Sequence, residues 1–164
     1  MQTMNHEPYE MELTRSRNIA NIVQYKALSA QHSECNSSPF RVLIVEDDLS
    51  LKKVIMRALK LLDQSIVVEW ATSADQYFLS QRLSRKRGKK AFDLVLADIN
   101  LPGVNSGFEV WNHFAKLDAT IPVVIMSGLR ESDFKRVIGE SARIHYVQKP
   151  LNLEKCAAVL DLCG

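Results

Sequence analysis

The sequence predicts an α/β fold in which five parallel β-strands alternate with five α-helices. Two observations predict it. Short apolar runs recur along the chain and are nearly continuous rather than alternating, which is typical of strands that are buried on both faces of a parallel sheet. Between these runs lie segments whose apolar residues have helical spacing. With right-handed crossovers, this alternation produces an open, doubly wound sheet with helices on both faces.

The apolar runs are the candidate strands, and four of them are clear in the sequence. These four read "RVLIVE", "SIVVEWA", "DLVLAD" and "IPVVIMS", whereas the fifth, "RIHYVQ", is weaker. The predicted strands are residues 41–46, 65–71, 93–98, 121–127 and 143–148.

Each candidate strand is followed by a segment with an apolar stripe at helical spacing. The second of these segments offers a capping box, because Gln76 follows Ser73 by three residues. The predicted helices are residues 49–62, 73–83, 107–117, 130–139 and 151–162. The residues expected to form their apolar faces are, in chain order, Leu51, Val54, Ile55, Ala58, Leu59 and Leu62; Tyr77 and Phe78; Val110, Phe114 and Leu117; Phe134, Val137 and Ile138; and Leu153, Ala157 and Leu160.

Composition excludes several classes of protein. The chain has 164 residues, of which 46% are hydrophobic, and this suits one globular domain with an appended segment. A formal net charge of +2 is too small to indicate nucleic acid or an acidic substrate. No apolar run approaches the roughly 18 residues that cross a membrane, and the N-terminus does not resemble a secretory signal. Cys35, Cys156 and Cys163 lack metal-ligand spacing, so we expect reduced thiols in a soluble cytoplasmic protein.

Two stretches fall outside the alternation of strands and helices. Residues 1–39 end in the polar "SECNSSPF" and are predicted to be an N-terminal extension that is disordered or partly helical. Apolar spacing within residues 10–31 leaves open a docking or dimerising helix. The basic residues 84–90, within "RLSRKRGKK", are interpreted as a solvated loop, with an anion or nucleic-acid site as the alternative.

Four candidate strands end in, or lead into, side chains that are suited to chemistry. The carboxyl ends of parallel strands share one edge of the sheet, and ligands of open α/β sheets bind there. These side chains are Glu46, Asp47, Asp48, Asp98, Ser127 and Lys149, with Tyr146 on the fifth strand. Four of them have ordinary structural explanations: Asp48 as a helix cap, Ser127 as a turn residue, Lys149 as a surface lysine and Tyr146 as a half-buried aromatic residue.

The three remaining acids, Glu46, Asp47 and Asp98, are harder to explain by structure alone. Two like charges about 4 Å apart repel by roughly 4 kcal/mol at an effective dielectric constant of about 20, so three neighbouring carboxylates need compensation. A hard divalent cation with oxygen ligands provides it, and Mg²⁺ fits best, with Lys149 balancing what remains. A carboxylate beside such a metal suits phosphoryl transfer, with Asp98 as the nucleophile. Ser127 and Lys149 are then each expected to hold one phosphoryl oxygen.

From about Arg41 to its end, the chain resembles the receiver domain of two-component response regulators. The motifs "VLIVEDD", "DLVLADINLPG", "VVIMSG" and "YVQKP" occur in order at the expected strand ends, and the resemblance covers about three-quarters of the sequence. It implies a flavodoxin-like (βα)5 sheet with strand order 2-1-3-4-5, in a receiver domain of residues 40–164. It also implies a phosphoprotein of signal transduction rather than a classical turnover enzyme.

The resemblance assigns roles to the acidic residues at the positions that match the family's motifs. Glu46 and Asp47 correspond to the acidic pair that holds Mg²⁺. Asp98 corresponds to the phosphoacceptor, which also binds the metal. Asn100 corresponds to the position whose backbone carbonyl is a further metal ligand.

The resemblance also implies a switch and its partners. Ser127 matches the switch hydroxyl, and Tyr146 matches the aromatic residue that swings inward on phosphorylation. Lys149 matches the lysine before a proline, Pro150, to which it is commonly joined by a cis peptide bond. The implied donor is a sensor histidine kinase or a histidine phosphotransfer protein. A downstream protein is expected at the face of helix four, strand five and helix five, and neither nucleic acid nor membrane is expected as a partner.

The chain departs from the family pattern in three places. Gly107 comes one residue later after Asp98 than in the family, so "GVNSG" carries an apparent insertion. It follows the pair Pro102-Gly103, which suits a type II turn. The loop before the third strand is lengthened by residues 84–90. The last helix is short and nothing follows it in the sequence, which predicts a stand-alone receiver without an output domain.

Three other functions share parts of this pattern. A haloacid-dehalogenase-like phosphatase also uses a strand-end aspartate, but it expects a second acid where this chain has Asn100. A flavodoxin-type cofactor binder offers backbone N–H donors to a phosphate, whereas "EDDLS" would repel one. A protein-interaction module on the same fold, acting without phosphorylation, stays open.

Overall fold

The computed structural model describes residues 38–83, 92–139 and 144–163 of the chain. Most of the predicted N-terminal extension, the basic stretch 84–90 and the first residue of the fifth predicted strand lie outside the described residues. The division into an extension of residues 1–39 and a domain of residues 40–164 therefore stays a prediction.

Five strands form one parallel sheet, as the apolar runs predict. They are β1 (Arg41–Val45), β2 (Val67–Ala71), β3 (Leu94–Asp98), β4 (Val123–Ser127) and β5 (His145–Gln148). Their order across the sheet is β2-β1-β3-β4-β5, so the predicted fold class and strand order are confirmed. β3 lies at the centre and is buried along its whole length, which explains why it is apolar from Leu94 to Ala97.

One helix follows each strand, and each of the five begins and ends within two residues of its predicted bounds. They are α1 (Leu49–Leu62), α2 (Ala74–Leu83), α3 (Gly107–Leu117), α4 (Glu131–Ile138) and α5 (Leu153–Leu160), with a 3-10 turn at Asp161–Cys163. At the start of α2 the Ser73 hydroxyl accepts the Gln76 N–H at 3.0 Å, as the predicted capping box requires. The Gln76 side chain instead accepts the Thr72 N–H, one residue earlier than a capping box places it.

The sheet has an apolar core on each face, because alternate residues of a strand point to opposite sides. A shift of one residue in the register would exchange the two sets of side chains, so burial of both sets fixes the register. The strand residues in the core with α1 and α5 are Val42, Ile44, Leu94, Leu96, Val124, Met126 and Val147. Those in the core with α2, α3 and α4 are Leu43, Val45, Ala71, Val95, Ala97, Val123 and Ile125.

Three residues were wrongly predicted to be buried in the helices. Val54 of α1, Leu117 of α3 and Val137 of α4 are 55%, 62% and 66% exposed. Successive residues of a helix are rotated by about 100° around its axis, so Val54 and Val137 lie at the margins of their apolar stripes. A slight rotation of the helix about its axis therefore exposes them. Leu117 is the last residue of its helix. In α5 the buried residues are Cys156, Val159 and Leu160, whereas Leu153 and Ala157 are only partly buried.

None of the described helices is long and apolar enough to cross a bilayer. Burial raises the pKa of the Cys156 thiol to about 12. At neutral pH this thiol is therefore protonated and unreactive, as expected of a core cysteine.

Candidate functional site

The carboxyl ends of β1 and β3 bring together the three acids that the sequence singles out. The two strands pair in parallel with Val45 opposite Ala97, so Glu46 and Asp98 follow side by side. One carboxylate oxygen from each of Glu46, Asp47 and Asp98 lies within 4.8 Å of the others. Glu46 and Asp98 are buried and Asp47 is exposed, so the cluster opens to solvent on the side of Asp47.

Glu46 is anchored at the end of β1 by both its backbone and its side chain. Its N–H donates to the Ala71 carbonyl and its own carbonyl accepts the indole N–H of Trp70, each at 2.9 Å. The Oε1 atom accepts the Asp48 N–H at 3.2 Å. Burial, together with the charge of Asp98, raises the pKa of the Glu46 carboxyl. The role of Trp70 was missed in the sequence, because an aromatic residue on a strand reads as part of the core.

Lys149, just after β5, supplies positive charge to the cluster. Its ammonium nitrogen lies 2.5 Å from Glu46 Oε2 and 3.0 Å from Asp98 Oδ2. Burial alone would lower the pKa of Lys149, but its hydrogen bonds to the two carboxylates outweigh burial and the pKa is raised. The peptide bond between Lys149 and Pro150 is cis, as the resemblance implied. Lys149 is therefore a largely buried counter-ion rather than a surface lysine.

The charges and donor atoms of this cluster fit a divalent cation. Three carboxylates face one ammonium, so two negative charges are left uncompensated. Carboxylate oxygens are the ligands that hard cations such as Mg²⁺ prefer, and the exposed side at Asp47 leaves space for the waters that Mg²⁺ retains. The acidic cluster is thus consistent with a divalent-metal site.

Asp48 lies beside the cluster but has the structural role that the sequence predicts. It is the N-cap of α1, and its Oδ1 accepts the Ser50 N–H at 2.8 Å. Hydrogen bonding to Ser50 lowers the pKa of the Asp48 carboxyl. Its place as a helix cap is therefore confirmed.

Ser127 and Tyr146 are connected by a short chain of contacts. The buried Ser127 ends β4, and its hydroxyl oxygen accepts the Leu129 N–H at 3.2 Å. The Leu129 carbonyl in turn accepts a hydrogen bond from the Tyr146 hydroxyl. The Tyr146 ring stacks on Phe134 of α4, with ring centroids 4.2 Å apart. The Ser127 hydroxyl is thereby linked to α4 through Leu129 and Tyr146, although these residues are not connected in the sequence pattern.

The β3–α3 loop, residues 99–106, carries Asn100 and the apparent insertion. Gly103 has a φ of +107°, the positive value that the third position of a type II turn requires. Val104, the next residue, is 94% exposed, so its side chain projects into solvent. Asn100 is also exposed, and its role as a carbonyl ligand of the metal stays a prediction.

Asp75 anchors this loop, although its residue type and position in the sequence do not indicate this role. It lies in the first turn of α2, where its Oδ2 accepts the Val104 N–H at 3.0 Å and its Oδ1 accepts the side-chain amide of Asn105. These hydrogen bonds, that of Asn105 first, lower the pKa of the Asp75 carboxyl. In the sequence Asp75 reads only as a favourable acid at a helix N-terminus. No local signal connects it with a loop 29 residues later.

Gly107 allows α3 to begin directly against the backbone of Asp98. A Cβ at this position would overlap the Asp98 carbonyl oxygen, which belongs to the central strand and cannot move alone. We expect Gly107→Ala to lower the free energy of unfolding by about 3 kcal/mol, as for an overpacked core, measured by urea denaturation. The matched control is Gly128→Ala, because an added Cβ there meets no atom within 4 Å. Equal losses of stability in the two variants would contradict this explanation.

A central strand that ends in a buried aspartate, surrounded by two further acids and a lysine, defines a class of protein. It is a flavodoxin-like α/β protein with an acidic, cation-compatible site at its strand ends. Comparison with protein families agrees with this class, since residues 42–161 match the model of the response regulator receiver domain. The chain therefore belongs to the response regulator receiver family.

Three known proteins illustrate the similarity. The probable methanogenesis regulatory protein FilR2 of Methanothrix harundinacea is 30% identical over 119 residues, which are 71% of this chain and 76% of that protein. The two-component response regulator ARR14 of Arabidopsis thaliana is 32% identical over 94 residues, which are 55% of this chain but 22% of that protein. The chain thus spans about a fifth of the Arabidopsis protein. The solved structure of the non-phosphorylated HemR receiver domain from Leptospira biflexa superposes with a TM-score of 0.55 at 26% identity, covering 74% of this chain and 91% of that one.

Proposed function

We propose that Asp98 accepts a phosphoryl group from the phosphohistidine of a sensor histidine kinase or of a histidine phosphotransfer protein, in a reaction that depends on Mg²⁺. The observation that carries the proposal is the buried Asp98 carboxylate, which lies 3.0 Å from Lys149 Nζ and beside the oxygens of Glu46 and Asp47. A carboxylate fixed in this way is preorganised as a nucleophile. Each chain accepts one phosphoryl group, so it is not a classical turnover enzyme.

The proposed reaction exchanges a P–N bond for a P–O bond. A carboxylate oxygen of Asp98 bonds to phosphorus while the bond from phosphorus to the donor imidazole breaks, and the imidazole leaves with the electron pair and takes a proton from water. The side chains of Glu46, Asp47 and Asp98 would hold Mg²⁺. The backbone carbonyl of Asn100 would complete the protein's ligands. When bound, Mg²⁺ neutralises charge on the phosphoryl oxygens. Lys149 then moves its ammonium from Asp98 to a phosphoryl oxygen.

The contacts of Ser127 support a switch that responds to phosphorylation. If the Ser127 hydroxyl turns to donate to a phosphoryl oxygen, the Leu129 N–H loses its acceptor. Leu129 can then shift, and Tyr146, whose hydroxyl donates to the Leu129 carbonyl, is released to swing inward. Because Tyr146 stacks on Phe134, α4 shares in the change.

The phosphoryl group would thus favour one of two existing states of the domain. In our proposal, the face formed by α4, β5 and α5 differs between these states and binds a downstream protein in one of them. The formal charge of +2 supports a protein rather than a nucleic-acid partner. We place the protein in the cytoplasm, as is typical of receiver domains.

Removal of the metal provides the test of this proposal. With acetyl phosphate and Mg²⁺, we expect the intact mass of the full chain to rise by one phosphoryl group, and hydroxylamine to remove it, as it does from an acyl phosphate. EDTA should prevent uptake, because the excess negative charge of the acidic cluster would then repel the phosphodonor. No change in mass with Mg²⁺ would contradict the proposal and favour an interaction module that works without phosphorylation.

A further inference from the structure

The tip of the β3–α3 loop is held by a residue of another element. Asp75, in the first turn of α2, accepts the Val104 N–H at 3.0 Å through Oδ2 and the Asn105 side-chain amide through Oδ1. Both donors lie in "GVNSG", where the chain is one residue longer than the family pattern. We call the contacts of Asp75 with residues 103–105 the Asp75 clamp.

Gly103 completes the Asp75 clamp by leaving space for the carboxylate. A Cβ on Gly103 would overlap Asp75 Oδ2. The φ of +107° at this position is also one that residues with a side chain rarely adopt. Backbone conformation and available space at Gly103 are therefore both matched to the position of the Asp75 carboxylate.

The clamp is one of two fixed points between which the loop carries Asn100. The other is at the sheet, where the Ile99 N–H donates to the Met126 carbonyl at 3.0 Å and the Gly107 N–H donates to the Ile99 carbonyl at 3.4 Å. Asn100 directly follows Ile99 and precedes Gly103 by three residues. Release of the clamp would turn the tip of the loop into a flexible connection, and the conformations open to Asn100 would increase.

We propose that Asp75 is a positioning residue of the phosphoacceptor site: the clamp fixes the loop that presents the Asn100 carbonyl and so sets the affinity of the site for Mg²⁺. This inference rests on the proposed function, because it concerns the same site. Asp75 is not one of the acids whose oxygens converge at the strand ends, so it acts through the loop. Mg²⁺ requires nearly octahedral geometry with oxygens at about 2.0–2.1 Å, and a carbonyl that moves by fractions of an ångström is a poor ligand.

The test compares the full chain with its Asp75→Ala variant in a Mg²⁺ titration followed by backbone amide chemical shifts. We expect the dissociation constant for Mg²⁺ to rise about tenfold, within the 10–100-fold range found when residues that orient metal ligands are changed. In the metal-free protein the Val104 amide should exchange its hydrogen faster, because its acceptor is gone. Phosphoryl uptake from acetyl phosphate at saturating Mg²⁺ should persist, since Asp98 and Lys149 are unchanged.

Asp118→Ala is the matched control. Asp118 also accepts two hydrogen bonds, from the N–H and the hydroxyl of Thr120, but it lies at the opposite end of α3 from the site. Its removal should leave the dissociation constant for Mg²⁺ unchanged. Gly103→Ala should weaken Mg²⁺ binding as Asp75→Ala does. The double variant should bind no more weakly than either single variant, because both act through one contact.

Two results would overturn the role of Asp75 while leaving Asp98 as the phosphoacceptor. The first is an Asp75→Ala variant that binds Mg²⁺ as tightly as the wild type. The second is an equal loss of Mg²⁺ affinity in Asp118→Ala, because the effect would then reflect general stability. A wild-type protein that neither binds Mg²⁺ nor takes up a phosphoryl group would overturn the proposed function and this inference with it.

Discussion

Asp98→Asn should abolish phosphoryl uptake from acetyl phosphate. The neutral amide of asparagine is a poor nucleophile, so intact-mass spectrometry in Mg²⁺ should show only unmodified protein where the wild type gains one phosphoryl group. The variant should still fold, because asparagine has nearly the size of aspartate. The substitution also removes the charge of Asp98, which together with burial raises the pKa of Glu46. Uptake by the variant would show that another residue carries the phosphoryl group.

Asp93→Asn is the matched control for this experiment. Asp93 precedes β3, at the opposite end of the same strand, and its Oδ2 accepts the Arg41 N–H at 2.8 Å. The control variant should take up one phosphoryl group at the wild-type rate. Loss of uptake in both variants would point to general damage to the sheet rather than to the loss of a nucleophile.

Lys149→Met should destabilise the protein by about 3 kcal/mol when no divalent cation is present, as expected when one partner of a buried ion pair is removed. The Lys149 ammonium lies 2.5 Å from Glu46 and 3.0 Å from Asp98, and without it two buried negative charges face each other. Urea denaturation in EDTA at pH 7 measures this loss. Mg²⁺ should restore part of the stability, because a cation between the carboxylates replaces the missing positive charge.

The loss of stability in Lys149→Met should also depend on pH. The pKa of Glu46 is raised in the folded state, by burial first, so as pH falls the folded protein takes up this proton before the unfolded chain does. The hydrogen bond from Lys149 lowers the Glu46 pKa in the wild type, so Lys149→Met raises that pKa further. As pH falls toward the raised pKa, the stability of the variant therefore rises more than that of the wild type, and the difference between them should be smaller at pH 5 than at pH 7.

The same substitution should slow phosphoryl uptake about 100-fold, since it removes a charge aimed at the transferring group. The matched control is Lys135→Met. In the wild type, the Lys135 ammonium pairs with Glu131 at 2.9 Å on the surface of α4. An exposed pair of this kind is worth less than about 1 kcal/mol, so the control should keep nearly full stability and uptake. Equal effects of the two substitutions would contradict the role of Lys149 as a buried counter-ion.

Most of the fold could be predicted, because a strand that is buried on both faces has a continuous run of apolar residues. β3 shows this best: Leu94 to Ala97 are apolar without interruption and all are buried. The second strand was predicted to begin at residue 65, but it begins at Val67. The N–H and the hydroxyl of Ser65 both donate hydrogen bonds to the Asp63 side chain at 2.7 Å and keep Ser65 out of the strand. Such local hydrogen bonds compete with strand formation, and a count of apolar residues does not detect them.

The acidic residues of the site could be predicted for a similar reason. Glu46 directly follows β1 and Asp98 is the last residue of β3, each after an apolar run, and parallel pairing brings such strand ends to one edge. The contacts that hold Glu46 and the loop after Asp98 in place could not be predicted. Trp70 reaches Glu46 through its indole N–H, and Asp75 holds a loop from a different helix. Each contact joins two segments whose own sequences are ordinary, so neither segment shows the contact alone.

Periodicity and residue type were thus sufficient for the topology and for the position of the acidic cluster, since both follow from which residues avoid water and from the direction of parallel strands. Distances between side chains required the folded chain. Folding turns Lys149 from an ordinary lysine into a counter-ion 3.0 Å from Asp98, and it connects Ser127 with Tyr146 through Leu129. The same holds for "DLVLADINLPGVNSG": its strand and its aspartate can be predicted from the residue pattern, but the hydrogen bond that fixes the Val104 N–H of its loop comes from Asp75 on α2. Contacts between distant segments depend on how the helices pack on the sheet, and this packing cannot be read from the sequence of either segment alone.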